Sequence, residues 1–215
     1  MIYESFRMDY ATYYTDGKAT AELLVQQLSG YVSLDNMKIL DWGCGPARVV
    51  RHLPDFLQRS AFYGADYNEK SIEWCKENIP GIEFLKNNLE PPMLFPGSYF
   101  DVVYGLSVFT HLSEESHYKW MEEMYRLLKP GGIFLFTTQG NIFSGKLSEI
   151  EKKKFSRGEL VIRGKVKEGH RSFSTFHPKQ FVQSILSVKW SVLKFVEGVM
   201  QDWGPEQDTW IVQKI

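Results

Sequence analysis

Residues 38–50 read KILDWGCGPARVV. An apolar pair, Ile39 and Leu40, runs into Asp41 and Trp42, and two glycines one residue apart, Gly43 and Gly45, follow. A short apolar run closed by glycine reads as a buried strand. Pro46 suits the first turn of a helix that would bury Val49, Val50 and Leu53. Glycines at such a junction turn the chain tightly and let the backbone approach a ligand closely. In an open parallel sheet, ligands bind outside the carboxyl ends of the strands, beside the first. The dinucleotide fingerprint G-x-G-x-x-G would need a third glycine where Arg48 stands, which weakens a pyrophosphate reading. Asp41 would repel a pyrophosphate and attract a cation.

The alternation of strand and helix continues outward from this turn. Upstream, AELLVQQLSGYV has a helical apolar period at Leu23, Leu24, Leu28 and Tyr31, with Tyr13 and Tyr14 ahead of it in DYATYYTDGK. Downstream, AFYGADY and IEFLKN read as strands two and three around the helix NEKSIEWCKENI, and FDVVYGLSVF as strand four. Ser113 is placed to cap a helix carrying His117, Met121, Met124, Tyr125 and Leu128 on one face; KPGG ends it, and IFLFTT is strand five. Such spacing indicates an α/β fold: a Rossmann-like, doubly wound, mostly parallel sheet with helices on both faces. After Thr138 the pattern breaks. Between Lys146 and Arg171 stand nine Lys/Arg against four Asp/Glu, in a segment that reads as a short helix and a β-rich excursion. A long insertion in an α/β domain is commonly a lid. HPKQFVQSIL then restores a helix, and KFVEGVM and DTWIVQKI read as two closing strands.

The 215 residues, 43% hydrophobic and 24% charged, fit one domain, 1–215. Within it, 1–35 is expected to form an N-terminal lid and helix, and 139–176 a substrate cap. A net charge of -1 leaves no global footprint for nucleic acid or an anionic membrane. Two cysteines without metal-ligand spacing, no signal-like start and no long apolar run point to a cytoplasmic protein without a metal site.

Asp66 ends strand two, 21 residues after Gly45. A carboxylate there can accept bonds from both hydroxyls of a ribose. Two acids flanking a glycine turn therefore suit a ligand with a ribose and a positive group. At ILDWGCGPAR, YGADYNEKSIEWCKEN, FLKNNLEPP, FDVVYGLSVFTHL and RLLKPGGIFLFTT, in that order, the sequence resembles the class I S-adenosylmethionine-dependent methyltransferases. The resemblance implies a seven-stranded sheet whose last strand is antiparallel, and S-adenosyl-L-methionine as cofactor. It implies that Asp41, Gly43 and Gly45, with Cys44 between them, face the methionine part, that Asp66 holds the ribose and that Tyr67 lies against the adenine. Asn87, Asn88 and Leu89 fall where the family often has an acidic residue for the adenine amino group. Ser107 and Val108 would line the floor near the sulfonium.

Methyl transfer needs an acceptor atom held in line with the methyl in a dry site, and a base only where the acceptor must lose a proton. His111 is a candidate base or a packed loop histidine. His177 is a candidate base or a cap for the helix starting at Pro178. Tyr14 and Tyr13 are lid residues over cofactor or acceptor, or ordinary aromatic core. The partner expected is a small-molecule acceptor. DTWIVQKI and SFSTFHP resemble bacterial members near glycan or natural-product biosynthesis. The run EKKKFSRG lacks the aromatics of a single-stranded RNA platform. The alternatives are an NAD-dependent oxidoreductase and a non-catalytic partner protein that keeps the fold.

Overall fold

The structure is a computed structural model, and it describes residues 9–170 and 172–215. The first eight residues of the expected N-terminal lid lie outside the described residues. The chain divides into two compact units, Met1–Lys86 and Asn87–Ile215.

The first unit is built on three parallel strands, β1 (Lys38–Trp42), β2 (Ala61–Asp66) and β3 (Ile82–Lys86), with β2 between the others. Asp41 pairs with Gly64, and Asp66 with Lys86, so both acids stand at strand carboxyl ends. Helix α1 (Tyr10–Ser29) starts well before AELLVQQLSGYV and takes in Tyr13 and Tyr14. The Asp9 carboxylate accepts the Thr12 N–H at 3.0 Å and caps it. Its buried stripe, Tyr13, Gly17, Ala21, Leu24 and Leu28, keeps helical spacing through the stretch expected to lie ahead of the helix. The expectation that Tyr13 and Tyr14 precede the first helix is therefore corrected.

The helix expected from Pro46 is also corrected. Gly45 and Ala47 adopt φ of 51° and 57°, so the chain turns through this stretch. A 3₁₀ turn (Val50–His52) and a single α-turn, α2 (Leu53–Phe56), follow. Arg51 holds the turn by donating to the carbonyls of Ala47, at 2.8 Å, and Pro46. Helix α3 (Glu69–Asn78) is capped by Asn68, whose side chain accepts the Ser71 N–H at 3.0 Å.

In the second unit, β4 (Phe100–Gly105) pairs in parallel with β5 (Leu128–Thr138), and β11 (Asp208–Lys214) lies antiparallel between β5 and β8 (Trp190–Val196). The sheet has seven strands in the order β3-β2-β1-β4-β5-β11-β8, mostly parallel with β11 reversed, as the resemblance implies. Ser113 caps α4 (Glu114–Leu127), which buries Trp120, Met121, Met124 and Leu127. KPGG belongs to the start of β5, where Gly131 at φ 76° and an irregular register after Phe100 absorb the turn.

Beyond Thr138 the insertion has its own small core, Phe143, Leu147, Val161 and Phe176, with Ile142 and Phe155 packed on it. Helix α5 (Glu149–Ser156) starts in a reciprocal capping box between Ser148 and Glu151. Strands β6 (Val161–Arg163) and β7 (Ser174–Phe176) form an antiparallel pair, and α6 (Lys179–Leu186) follows. A small hairpin, β9 (Met200–Gln201) with β10 (Gly204–Pro205), interrupts the closing strands; the sequence reading did not anticipate it.

Candidate active site

The turn after β1 folds across the end of β2. The Gly43 and Cys44 N–H groups both donate to the Ala65 carbonyl, at 2.8 and 3.1 Å. Gly43 has φ of 77°, which an L side chain rarely adopts, so the first glycine is needed for the turn itself. The next N–H, of Gly45, donates to Asp66 Oδ2 at 2.8 Å, while Asp66 Oδ1 accepts the Asn68 N–H at 2.7 Å. Asp66 thus orients the turn and the α3 start at once. Burial raises its carboxyl above the usual range, and the bonds from Asn68 and Gly45 oppose that rise. Each carboxylate oxygen offers two acceptor sites, so two remain for a diol.

Asp41 is 4% exposed. Its charge and that of Asp66 add to burial in pushing the Cys44 thiol well above its ordinary value. Cys44 is therefore a neutral thiol, and its sulfur packs where a Cβ on Gly64 would lie 3.0 Å away. That makes it a packing residue in the turn rather than a nucleophile. Tyr13, buried on α1, is raised to about 12, chiefly by burial, with Arg51 and Arg48 opposing and Cys75 and Asp41 adding to the rise. Helix α1 reaches the turn because Gly17 allows it: a Cβ there would stand 2.2 Å from the Arg48 carbonyl oxygen. Tyr14 is half-exposed and sets its ring edge-on to His52, with centroids 4.5 Å apart. Tyr67 is half-exposed beside Asp66.

In the second unit, Asn87 follows directly on β3. Its Nδ2 donates to the Asn88 carbonyl at 2.6 Å, while its buried Oδ1 has no partner among the described residues. Asn88 is exposed. The Leu89 carbonyl accepts the Trp120 indole N–H at 3.0 Å. The structure thus offers Asn87, rather than Asn88, as a buried acceptor. After β4, Ser107 sits at φ 61°, an unusual conformation for a side-chain-bearing residue and one that clusters at ligand sites. Ser107 N–H donates to Thr137 Oγ1 at 2.8 Å, and both hydroxyls donate to Gln207 Oε1, at 3.0 and 2.6 Å. Gln207 escaped the sequence reading because 100 residues separate it from Ser107. Val108, half-buried, leads into the 3₁₀ turn Phe109–His111.

The two candidate histidines differ sharply. His111 Nδ1 lies 2.8 Å from the Phe173 carbonyl, which only accepts, so Nδ1 carries the proton and Nε2 keeps a lone pair. Burial lowers its pKa, and the ring is neutral at pH 7. His177 is 1% exposed, with Nε2 2.9 Å from His117 Nε2. His117 Nδ1 donates to the Ser113 carbonyl at 2.6 Å, so its Nε2 accepts from His177. Burial holds His117 at about 4 and His177 well below its ordinary value. His177 is a core residue joining α4 to the start of α6, and it supplies no exposed base.

The insertion is bound to the loop after β4. Gly169 N–H donates to the His111 carbonyl at 2.9 Å, Ser113 N–H to Glu168 Oε1 at 2.7 Å and Thr175 Oγ1 to the Leu112 carbonyl at 2.7 Å. Among the described residues, no group of three or more His, Cys, Asp or Glu is disposed to hold a metal ion. No helix among them is long and apolar enough to cross a membrane.

Residues 39–132 match the family described as Methyltransferase domain. The chain is 25% identical over 157 residues to phthiotriol/phenolphthiotriol dimycocerosates methyltransferase 1 of Mycobacterium ulcerans, covering 66% of this chain and 55% of that protein. It is 28% identical over 116 residues to a fatty-acid O-methyltransferase of Mycolicibacterium smegmatis, covering 53% and 41%. The chain thus spans about half the length of these relatives. Among solved structures, the magnesium protoporphyrin IX methyltransferase of Synechocystis with bound SAH superposes with a TM-score of 0.68 at 15% identity, covering 100% of this chain and 91% of that one. A SAM-dependent methyltransferase of Methanosarcina mazei gives 0.66 at 18% identity, covering 88% and 97%. These structures share the fold: an α/β sheet, mostly parallel, with one reversed strand. With the strand order, they show that the chain has the α/β fold of these methyltransferases, and its match to a methyltransferase domain is confined to residues 39–132.

Proposed function

We propose that this protein transfers the methyl group of S-adenosyl-L-methionine to a small, amphiphilic acceptor. The observation that carries this reading is the Asp66 carboxylate, buried at the end of β2 and held by the Gly45 and Asn68 N–H groups with acceptor capacity to spare. The residues fit the cofactor. Asp66 takes the ribose diol, Asp41 and the Gly43–Gly45 backbone the cationic methionine part, and Tyr67 the adenine face. Asn87 Oδ1 is an unmet acceptor suited to an amino group such as that of adenine. Space above Gly45 is open, with no atom within 4 Å of a Cβ there. Cys44 contributes shape to the turn, and Tyr13 a neutral hydroxyl.

The cofactor supplies an activated methyl group; the protein supplies position and dryness. His111 Nε2 is the group that takes a proton from an acceptor hydroxyl, with its tautomer set by the Phe173 carbonyl of the insertion. Ser107, fixed through Thr137 and Gln207, and Val108 beside it form the floor. Residues 139–176 serve as the acceptor cap, a role supported by their bonds to the loop that carries His111. The relatives named for fatty acids and dimycocerosates favour a lipid-like acceptor over a sugar. Both cysteines are free, which suits a cytoplasmic setting.

Calorimetry with S-adenosylhomocysteine and NAD separates this reading from an oxidoreductase and from a non-catalytic partner. Binding of S-adenosylhomocysteine alone is expected. Radiolabelled methyl transfer to a panel of fatty acids, sterols and hydroxylated lipids then identifies the acceptor. Failure to bind S-adenosylhomocysteine overturns the reading.

A further inference from the structure

Helix α5 has two faces with different chemistry. Lys152, Phe155 and Ser156 line a cavity of about 450 Å³ that also reaches Lys179, Phe195 and Asp208. Ile150, Lys153, Lys154 and Arg157 recur at i, i+3, i+4 and i+7, which places them together on the opposite side of the helix. Ile150 is 75% exposed, and the three cations are exposed around it. None of the three forms an ion pair among the described residues. Of the insertion's four acids, Glu159 stays exposed beside this face and the other three are engaged elsewhere. Glu149 pairs with Lys152 at 2.8 Å, Glu151 with Arg163 at 2.6 Å, and Glu168 accepts the Ser113 N–H. Positive charge is concentrated here in a chain whose totals are 25 Lys/Arg and 26 Asp/Glu.

We propose that this outer face of α5 docks on an anionic lipid surface, with Lys153, Lys154 and Arg157 meeting headgroup phosphates and Ile150 entering the headgroup–acyl boundary. A large apolar side chain ringed by cations on one helical face is the chemistry of an interfacial helix. A soluble anion would leave Ile150 without a role. Single-stranded RNA would call for stacking aromatics, and this face has none. Docking would set the cavity side of α5 away from the lipid and hold the insertion at the surface that supplies an amphiphile. The inference deepens the proposed methyl transfer by naming where the acceptor comes from. Its assay needs no turnover, so its failure leaves that transfer standing.

The test is co-sedimentation of the full chain with vesicles of phosphatidylcholine alone or with about 30 mol% phosphatidylglycerol, at about 0.1 M and about 0.5 M NaCl. Binding is expected only with the anionic vesicles and only at low salt. Each cation changed to glutamine is expected to cost about fivefold in the partition coefficient, so Lys153→Gln/Lys154→Gln/Arg157→Gln together cost about a hundredfold. Ile150→Ser should weaken binding several-fold while leaving the salt dependence in place. Melting temperature and S-adenosylhomocysteine affinity, read on the same variants, should match the parent. Should the triple variant fail to fold, the single glutamine variants and the salt dependence of the parent carry the test. No binding of the parent to anionic vesicles overturns the inference. So does full binding by the charge variants, or tighter binding of a single-stranded RNA that the same substitutions abolish.

Discussion

Asp66→Asn separates the two tasks assigned to one carboxylate. In the parent, Oδ1 accepts the Asn68 N–H at 2.7 Å and Oδ2 the Gly45 N–H at 2.8 Å. An amide keeps one acceptor oxygen and turns an NH₂ toward the other donor, which leaves that backbone N–H unmet. An unmet buried donor costs about 1–3 kcal/mol. Removing a buried charge offsets part of this, because burial is the largest influence on the Asp66 carboxyl. A net loss of about 1–2 kcal/mol in stability is expected. The ribose loses a further acceptor. A hydrogen bond to a charged group contributes about 1.5–3 kcal/mol, so S-adenosylhomocysteine should bind roughly 10–100-fold more weakly. The assay pairs urea unfolding with calorimetric titration at a temperature where both proteins are folded. A variant that unfolds earlier yet binds with parental affinity refutes the ribose assignment and leaves the turn argument intact. A variant unchanged in both refutes the whole account of Asp66.

Three further outcomes are expected. Gly17→Ala places a Cβ 2.2 Å from the Arg48 carbonyl oxygen and should cost about 1–2 kcal/mol in unfolding free energy, overpacking outweighing the gain in helix propensity; a higher melting temperature would count against the contact. His111→Gln should lower kcat on a hydroxyl acceptor by about 10²–10⁴-fold, and in the parent the rate should fall only as pH drops below the ordinary histidine range, since burial lowers the His111 pKa; an unchanged kcat would dismiss His111 as the base. Asp208, 3% exposed and raised to about 6 chiefly by burial, favours the fold at low pH and loses that contribution as pH rises from the ordinary carboxylate range through about 6. Asp208→Asn should therefore stabilise the protein by an amount that grows over this range to about 3 kcal/mol at pH 8; urea midpoints that shift equally at pH 5 and pH 8 would contradict it.

Much of the architecture was legible in the residues because its signals are local. KILDW, AFYGAD and FDVVYG are apolar runs long enough for buried strands, and Ser113 is a short polar side chain placed to cap a helix, a cap the structure makes. The glycines and the two acids of the first turn declare themselves through backbone freedom and charge at a strand end. The start of α1 is hidden in the sequence because Tyr10 and Tyr14 mask a stripe whose buried members include Gly17, which shows its purpose only once the Arg48 carbonyl lies against it. The helix expected from Pro46 does not form because Ala47 takes a left-handed conformation that no propensity signals; Arg51, bonded to the Pro46 and Ala47 carbonyls, holds the turn that contains it.

What the chain alone determined was a mostly parallel α/β sheet implied by alternation, a glycine turn between two carboxylates, and a basic insertion. What the tertiary structure decided was which polar atoms remain available. Sequence could not rank His111 above His177, because the distinction lies in the Phe173 carbonyl, 62 residues away, and in His117, 60 residues away. Nor could it prefer Asn87 to Asn88, neighbours of one residue type that differ in burial. Hydrogen-bond satisfaction depends on groups distant in sequence, and only the folded chain brings those groups within reach.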